Sequence, residues 1–156
     1  MKGSFAMERA LAEADAAAVR GEVPVGAALV DAGSGAIIAA DGNRVEQLGD
    51  ATAHAEMLLL RRGARRFGRW RLAGCDLYVT LEPCPMCAGL IVNARVGRVV
   101  YGTDDPKAGA CRSLFELTTD ARLNHRVELI TGVRAEESAE MLRSFFRARR
   151  AKGCDA

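Results

Sequence analysis

The feature that most limits the possible folds is a short strand that leads directly into a helix through a pair of cysteines. The segment "DLYVTL" (76–81) is bounded by Gly74 and by the turn-forming "EPCP", which predicts a strand. The segment "MCAGLIVNAR" (86–95) follows it and predicts a helix, with Pro85 at a natural first-turn position. A strand that feeds a helix in this way favours an α/β protein.

The remaining segments continue the alternation of strands and helices. Apolar residues at helical spacing predict an amphipathic helix that ends near Gly21, and a second helix is expected to begin between Ala51 and His54. Further strands are predicted for "VPVGAALVD", "AIIAAD", "RVVYG" and "RVELI", the first two as a hairpin. A last helix is expected over about 135–150, followed by a short tail. The order predicts one α/β domain over residues 1–156, without repeats.

Composition excludes several classes of protein. Hydrophobic residues make up 49% and charged residues 27%, which are ordinary values for a globular domain. The N-terminal segment is too charged for a signal peptide, and no run of about 18 apolar residues could span a bilayer. We therefore expect a cytoplasmic protein without a membrane partner. With five cysteines and no secretory signal, metal binding or free thiols are favoured over a disulfide framework.

Two cysteines stand at the predicted start of the helix that follows "DLYVTL". Cys84 and Cys87 are three residues apart, so both sulfurs can reach one point from the first turn. The partial positive charge of a helix N-terminus also favours thiolates. Such a pair can equally be packed core cysteines or a redox site, so the pair alone leaves these alternatives open.

His54 favours the metal interpretation because it adds a third ligand at the start of a separate helix. Zinc prefers nitrogen and sulfur donors; structural sites use four protein ligands, whereas catalytic sites keep one position open. A fourth ligand would have to come from Cys75, Cys111, Cys154 or His125, none of which has a paired spacing. The sequence therefore predicts a three-ligand, catalytic type of site.

Glu56 is the candidate proton carrier for such a site. A metal with three protein ligands can lower the pKa of a water from 15.7 to about 7, which provides a hydroxide nucleophile at neutral pH. Residues two apart in a regular helix point about 200° apart, so His54 and Glu56 can face one metal only from the open first turn. Without the other three residues, Glu56 would be interpreted as a surface acid or a first-turn helix acid.

Arginines are concentrated in "RRGARRFGRWR" (61–71) and "RSFFRARRAK" (143–152), although the formal net charge is only +2. Such runs are either solvated helix faces or phosphate-binding surfaces, and in the second run Phe145 and Phe146 could stack on bases. A long connection over 103–125 contains one glycine and three aspartates. Connections of this length are usually functional, so substrate contacts are expected there.

From about Met7 to Arg150 the chain resembles the bacterial tRNA-specific adenosine deaminases. The resemblance is carried by "EVPVGA", "GNR", "TAHAE", "LYVTLEPCPMCAG", "GRVVYG", "DPKAGA", "NHRVE" and "FFRARR". His-Ala-Glu followed by Pro-Cys-x-x-Cys is the signature of zinc-dependent nucleobase deaminases. The resemblance implies a cytidine deaminase-like three-layer α/β/α sandwich with a mixed five-stranded sheet, assembled as a homodimer. The implied reaction is hydrolytic deamination of adenosine to inosine at the wobble position of a tRNA anticodon.

The resemblance also implies roles for individual residues. His54, Cys84 and Cys87 correspond to the ligands of one Zn²⁺ per subunit, and Glu56 corresponds to the proton-shuttling acid. The implied substrate contacts are Val23, Pro24 and Ala55 in the pocket wall, Asn43 at the flipped base, Asp105 near the sugar, and Phe145, Phe146, Arg149 and Arg150 at the anticodon loop. The expected partner is therefore a tRNA anticodon stem-loop, and no DNA partner is expected.

Three positions depart from the family pattern. Arg112 stands where many members carry glycine, Gly42 stands where some have tryptophan, and Asn93 occupies a variable position. Two other functions compete with tRNA editing. The same zinc chemistry could act on a small free base such as guanine or cytosine, with the basic last helix as a solvated face. A catalytically silent, zinc-bearing RNA-binding or assembly protein is the other alternative, against which Glu56 in its expected place argues.

Overall fold

The computed structural model describes residues 2–153, with side chains from Phe5 onwards, so Cys154 and the end of the predicted tail lie outside the described residues. The helices are α1 (Lys2–Val19), α2 (Val45–Leu48), α3 (Ala55–Phe67), α4 (Pro85–Asn93) and α5 (Ala135–Ala151). The strands are β1 (Gly26–Asp31), β2 (Ile37–Gly42), β3 (Cys75–Leu81), β4 (Arg98–Thr103) and β5 (Glu128–Ile130). All predicted elements are present. The short α2 and a 3-10 turn at Leu117–Thr119 were not predicted.

The strands form one mixed sheet in the order β2-β1-β3-β4-β5. Strand β1 pairs antiparallel with both β2 and β3, which confirms the predicted hairpin. Strands β3, β4 and β5 are parallel to one another. The structure thus confirms the mixed five-stranded sheet.

Helices cover both faces of this sheet because its strands are apolar on both sides. Leu77 and Val79 of β3 belong to a core cluster with residues of α3 and α4, whereas the intervening Tyr78 belongs to a cluster with Met7 of α1. Since neighbouring residues of a strand point to opposite faces, α3 and α4 lie on one face and α1 on the other. Helix α5 packs against β4 and contacts α1. The result is the α/β/α sandwich that the resemblance implied.

A stripe of small side chains lets α1 approach the sheet closely. Ala10, Ala14 and Ala17 are fully buried along this helix. A Cβ atom at Gly26 would overlap the backbone of Ala10 and Ala14, and one at Gly42 would lie 2.6 Å from the carbonyl oxygen of Glu13. This close packing explains why Gly42 carries no larger side chain here.

The parallel strands β3 and β4 direct the chain to one edge of the sheet. Strand β3 ends at Leu81, and the residues after it lead into the N-terminus of α4. Strand β4 ends at Thr103, where a long connection begins. Carboxyl ends of parallel strands commonly form ligand sites. Among the helices of residues 2–153, none is long and apolar enough to cross a membrane.

Candidate metal centre and substrate pocket

Two helix N-termini bring the predicted metal ligands together. His54 is the N-cap residue of α3, and its backbone is extended there, with φ −70° and ψ 151°. Cys84 is the N-cap residue of α4, Pro85 opens that helix, and Cys87 lies in its first turn. The nitrogen and sulfur atoms of His54, Cys84 and Cys87 all lie within 4.8 Å of one another.

The distances within this triad fit a tetrahedral zinc ion. His54 Nδ1 lies 3.6 Å from Cys84 Sγ and 3.5 Å from Cys87 Sγ. With Zn–N and Zn–S bonds of about 2.0 and 2.3 Å at a tetrahedral angle, nitrogen and sulfur would be separated by about 3.5 Å. In the part of the chain that the structure describes, no fourth imidazole, thiol or carboxylate joins the group. The donor set and its spacing therefore fit a three-ligand zinc site.

Hydrogen bonding within the triad already favours a thiolate. The hydrogen bond from Cys87 lowers the pKa of the Cys84 thiol to about 4, and His54 adds to this effect against the opposing effect of burial. The same hydrogen bond, together with burial, raises the pKa of Cys87. One proton is thus held mainly by Cys87, and binding of a divalent metal would release it.

The Glu56 side chain is placed next to these ligands in the first turn of α3. Because the N-cap His54 leaves the helical path, the two side chains need not point in opposite directions, and both line the same cavity. Only 3% of Glu56 is exposed, and burial raises the pKa of its carboxyl group. A carboxyl group with a raised pKa can both accept and donate a proton near neutral pH.

The cavity beside the triad has a volume of about 320 Å³, within the range of small-ligand sites. Its apolar walls include Val23, Val25 and Leu81, and its polar side chains include Asn43 and Asp105. The polar atoms of Asn43 contact the backbone: Oδ1 accepts from the Ala55 N–H at 3.0 Å, and Nδ2 donates to the Val23 carbonyl at 3.3 Å. One amide hydrogen and one oxygen lone pair of Asn43 remain for a ligand.

The other predicted substrate contacts are divided between this cavity and two neighbouring grooves. Arg149 of α5 lines the cavity itself, whereas Phe146 and Arg150 line a neighbouring groove of about 790 Å³ that also contains Asp105. Pro24 and Phe145 line a third groove, between α1 and α5. Ala55 is fully buried and meets the site through its backbone N–H.

Two buried glutamates of the cavity wall were not predicted from the sequence. Glu22 accepts hydrogen bonds from the backbone N–H groups of Glu46 and Gln47, both at 2.9 Å, and thereby caps α2. Glu82 accepts hydrogen bonds from several backbone N–H groups of the connection after β4. Both lie in segments that carry the family resemblance, "EVPVGA" and "LYVTLEPCPMCAG", but no role was predicted for either residue.

The positions that depart from the family pattern lie outside the triad. The Arg112 guanidinium donates hydrogen bonds to both carboxylate oxygens of Asp104, at 3.0 and 2.9 Å. This exposed ion pair links two residues of the connection after β4. Asn93 is exposed at the end of α4, and nothing in the structure gives it a role. The arginine run 61–71 lies on α3 and the turn after it, on the opposite face of the sheet from α1.

An imidazole and two thiols at paired helix N-termini, a buried carboxyl group and an α/β/α fold together define a metal-dependent deaminase of the cytidine deaminase superfamily. The model of the MafB19-like deaminase family matches residues 1–150. The chain belongs to this family.

Similar proteins and structures agree with this assignment. The chain is 48% identical over 146 residues to the tRNA-specific adenosine deaminase of Bacillus subtilis (strain 168), covering 94% of this chain and 89% of that protein. A solved structure from studies of A-to-I editing by tRNA:A34 deaminases superposes with a TM-score of 0.84 at 46% identity, covering 88% of this chain and 99% of the other. A guanine deaminase from Nitrosomonas europaea shares the fold, with a TM-score of 0.76 at 23% identity over 91% of this chain and 83% of that one.

Proposed function

We propose that this protein is a zinc-dependent hydrolase that converts adenosine to inosine at the wobble position of a tRNA anticodon. The observation that carries the proposal is the triad of His54, Cys84 and Cys87 at a cavity that the buried Glu56 lines together with His54 and Cys84. The 48% identity to a tRNA-specific adenosine deaminase supports adenosine in tRNA as the substrate. The fold alone would not decide this, because a guanine deaminase shares it.

His54, Cys84 and Cys87 would hold one Zn²⁺ per subunit. When bound, this ion supplies a water of lowered pKa, about 7, for attack at neutral pH. Glu56 takes the proton of the attacking water and delivers it to a ring nitrogen of the purine. A carbon–oxygen bond forms at C6. Glu56 then transfers the proton of the new C6 hydroxyl group to the amino nitrogen, the bond from C6 to that nitrogen breaks, and the products are inosine and ammonia.

The cavity would hold the base after it leaves the stack. Val23, Val25 and Leu81 offer apolar walls to a flat ring, and the unused hydrogen-bonding capacity of Asn43 suits a polar edge of the base. Asp105 lines both the cavity and the adjoining groove, which supports a contact with the sugar. Pro24 and Ala55 would contribute to the wall through the backbone of their segments.

Helix α5 would contact the anticodon loop. The rings of Phe145 and Phe146 stand edge to face with centroids 5.4 Å apart, and the Arg149 guanidinium lies 5.4 Å from the Phe145 ring centre. Arg150 lies in the groove beside Phe146. Aromatic rings among cations are suited to stacking splayed bases and neutralising phosphates. A cytoplasmic location, a single domain and a homodimer complete the proposal.

Product analysis tests this function directly. The purified zinc-loaded protein would be incubated with an anticodon stem-loop that carries adenosine at the wobble position, and separately with free adenine, guanine and cytosine. Inosine formed only in the stem-loop is the expected result. Rapid turnover of free guanine or cytosine without editing of the stem-loop would contradict the proposal and favour a small-molecule deaminase.

A further inference from the structure

The buried side chain of Glu82 forms hydrogen bonds with both ends of a segment in the connection that follows β4. Glu82 is 2% exposed. Its Oε1 accepts a hydrogen bond from the Asp105 N–H at 3.0 Å and another from the Ser113 hydroxyl. Its Oε2 accepts from the backbone N–H groups of Cys111, Arg112 and Ser113, at 3.1, 2.9 and 2.9 Å. Both ends of the segment 105–113 are therefore held by the same carboxylate.

The chain is built closely around this carboxylate. A Cβ atom at Gly109 would overlap the carboxyl carbon and both oxygens of Glu82, so only glycine leaves room for the side chain. An apolar residue in place of Glu82 would leave four backbone N–H groups without this acceptor, and unsatisfied buried donors are costly.

Glu82 connects the segment that carries the metal ligand Cys84 to a second segment of the cavity lining. Glu82 follows the end of β3 and lies two residues before the ligand Cys84. The segment that it holds contributes Asp105 and Ala108 to the cavity lining. Fixing this segment to the strand end therefore fixes the distance between the cavity wall and the triad.

We propose that Glu82 is a positioning residue, which holds the segment 105–113 so that Asp105 and Ala108 form the substrate-facing wall beside the metal centre. The hydrogen-bonding role rests on the geometry alone, whereas its effect on the substrate rests on the proposed function. Glu82 acts through this wall rather than by contact with the reacting atoms.

The outer ion pair of the same segment has a smaller role. Arg112 and Asp104 are 51% and 44% exposed, and exposed pairs contribute little to stability. The backbone of Arg112 is held by Glu82 whatever side chain stands at this position. Arg112→Ala should therefore change amide exchange in the segment by less than about 3-fold.

Hydrogen exchange of the zinc-loaded protein gives a readout that does not depend on activity. In the wild type, the amides of Asp105, Cys111, Arg112 and Ser113 should exchange more slowly than those of exposed turns. In Glu82→Gln, the amide oxygen can still serve the three N–H groups at Oε2, but an NH₂ group then faces the Asp105 N–H. Exchange at Asp105 should rise about 10-fold or more, with smaller changes at Cys111 to Ser113.

Two further variants and one control sharpen the test. Glu82→Ala should accelerate exchange at all four amides. Gly109→Ala displaces the carboxylate without removing it and should also accelerate exchange at these amides. It replaces Glu82→Ala in the test if that variant does not fold. Glu22→Gln alters an equally buried carboxylate that holds the other wall, through Glu46 and Gln47. It should leave exchange over 105–113 unchanged.

Kinetics separate positioning from a merely structural role. With an anticodon stem-loop as substrate, Glu82→Gln should raise KM about 10-fold while kcat changes by less than about 3-fold, at unchanged zinc content. Loss of folded or metal-loaded protein would instead lower kcat at unchanged KM. Unchanged exchange over 105–113 in Glu82→Gln and Gly109→Ala would overturn the proposal. If the wild type does not edit the stem-loop, the proposed function fails, while the exchange data still decide the role of Glu82.

Discussion

The Asn43 side chain caps α3, because its Oδ1 accepts a hydrogen bond from the Ala55 N–H at 3.0 Å. The residue at the N-cap position, His54, makes no side-chain capping hydrogen bond, and its ring lies beside the two sulfurs instead. Asn43 also donates to the Val23 carbonyl. One side chain thus connects the end of β2, the cavity wall and the first turn of α3.

This relationship predicts the effect of replacing Asn43. Asn43→Ala leaves the Ala55 N–H without its acceptor, so the free energy of unfolding should fall by about 1–2 kcal/mol, and zinc should be lost more easily. Asn43→Asp keeps the acceptor for the Ala55 N–H but turns an oxygen towards the Val23 carbonyl in place of the donor, so it should recover only part of that stability. Urea unfolding and zinc content measured for both variants check this expectation. An Ala variant as stable as the wild type, with the same zinc content, would show that Asn43 does not cap α3.

Replacement of Glu56 should separate chemistry from binding. Glu56→Gln keeps the size of the side chain but cannot carry the proton, so turnover should fall by about 10² to 10⁴. Zinc content and stem-loop affinity should stay close to those of the wild type. Single-turnover kinetics at saturating enzyme provide the measurement. A variant with more than about a tenth of the wild-type rate would remove Glu56 from this role.

Zinc content distinguishes the triad from the other cysteines. Elemental analysis of the wild type should find one zinc per subunit, and Cys87→Ala should lose it, because two of three ligands do not hold the ion well. A chelator should lower the Tm of the wild type and leave that of Cys87→Ala unchanged. Cys75→Ala is the matched control: this thiol is also free and buried but lies outside the triad, so its zinc content should be normal. Full zinc in Cys87→Ala would contradict the site.

Asp41 gives the protein a defined sensitivity to acid. Burial alone would raise the pKa of this carboxyl group, but hydrogen bonds from Arg44 and the Gly42 N–H, with the charges of Arg44 and Arg62, hold it below its ordinary value. The stabilisation is therefore present above the unfolded pKa of about 3.9 and is lost as the pH falls through the lower folded pKa. Asp41→Asn should lower the free energy of unfolding by about 1–3 kcal/mol at pH 7. This difference should shrink below about pH 4, and a difference independent of pH would contradict the explanation.

Local sequence patterns predicted most of the fold. The strands and the longer helices were recognisable because their apolar spacing is continuous and their ends carry glycine, proline or turn residues. Helix α2 was not predicted, since its four residues show no periodicity. It depends on Glu22, whose carboxylate reaches the N–H groups of residues 24 and 25 positions later. A cap supplied from so far away leaves no local signal.

The same distinction separates the two parts of the site. The sequence identified His54, Cys84 and Cys87 because they are metal-binding side chains at helix starts, and metal chemistry restricts which residue types can form a site together. Glu56 was found from its position two residues after His54. The role of Glu82 could not be found, since its partners are backbone N–H groups some 23 to 31 residues later in the chain. Backbone groups are present in every sequence, so only the folded structure shows which of them converge.

The two arginine-rich runs can be separated by experiment, because they lie on different parts of the molecule. Arg149→Ala combined with Arg150→Ala should weaken binding of an anticodon stem-loop and reduce the magnitude of the slope of log K against log salt by about 1–2. Both side chains lie at the cavity or the groove beside it. Zinc content should not change, because neither residue belongs to the triad. Fluorescence anisotropy at several salt concentrations gives both the affinity and the slope.

A second double variant removes the same charge from the other run. Arg65 and Arg66 are exposed near the end of α3, whereas the triad lies at the start of that helix. Because a helix rises about 1.5 Å per residue, these arginines lie roughly 15 Å or more along α3 from His54. Arg65→Ala with Arg66→Ala should therefore leave the affinity and the salt slope nearly unchanged. Equal losses in both double variants would show that the RNA binds through general positive charge rather than through α5, and no loss in either would remove α5 from the RNA-binding surface.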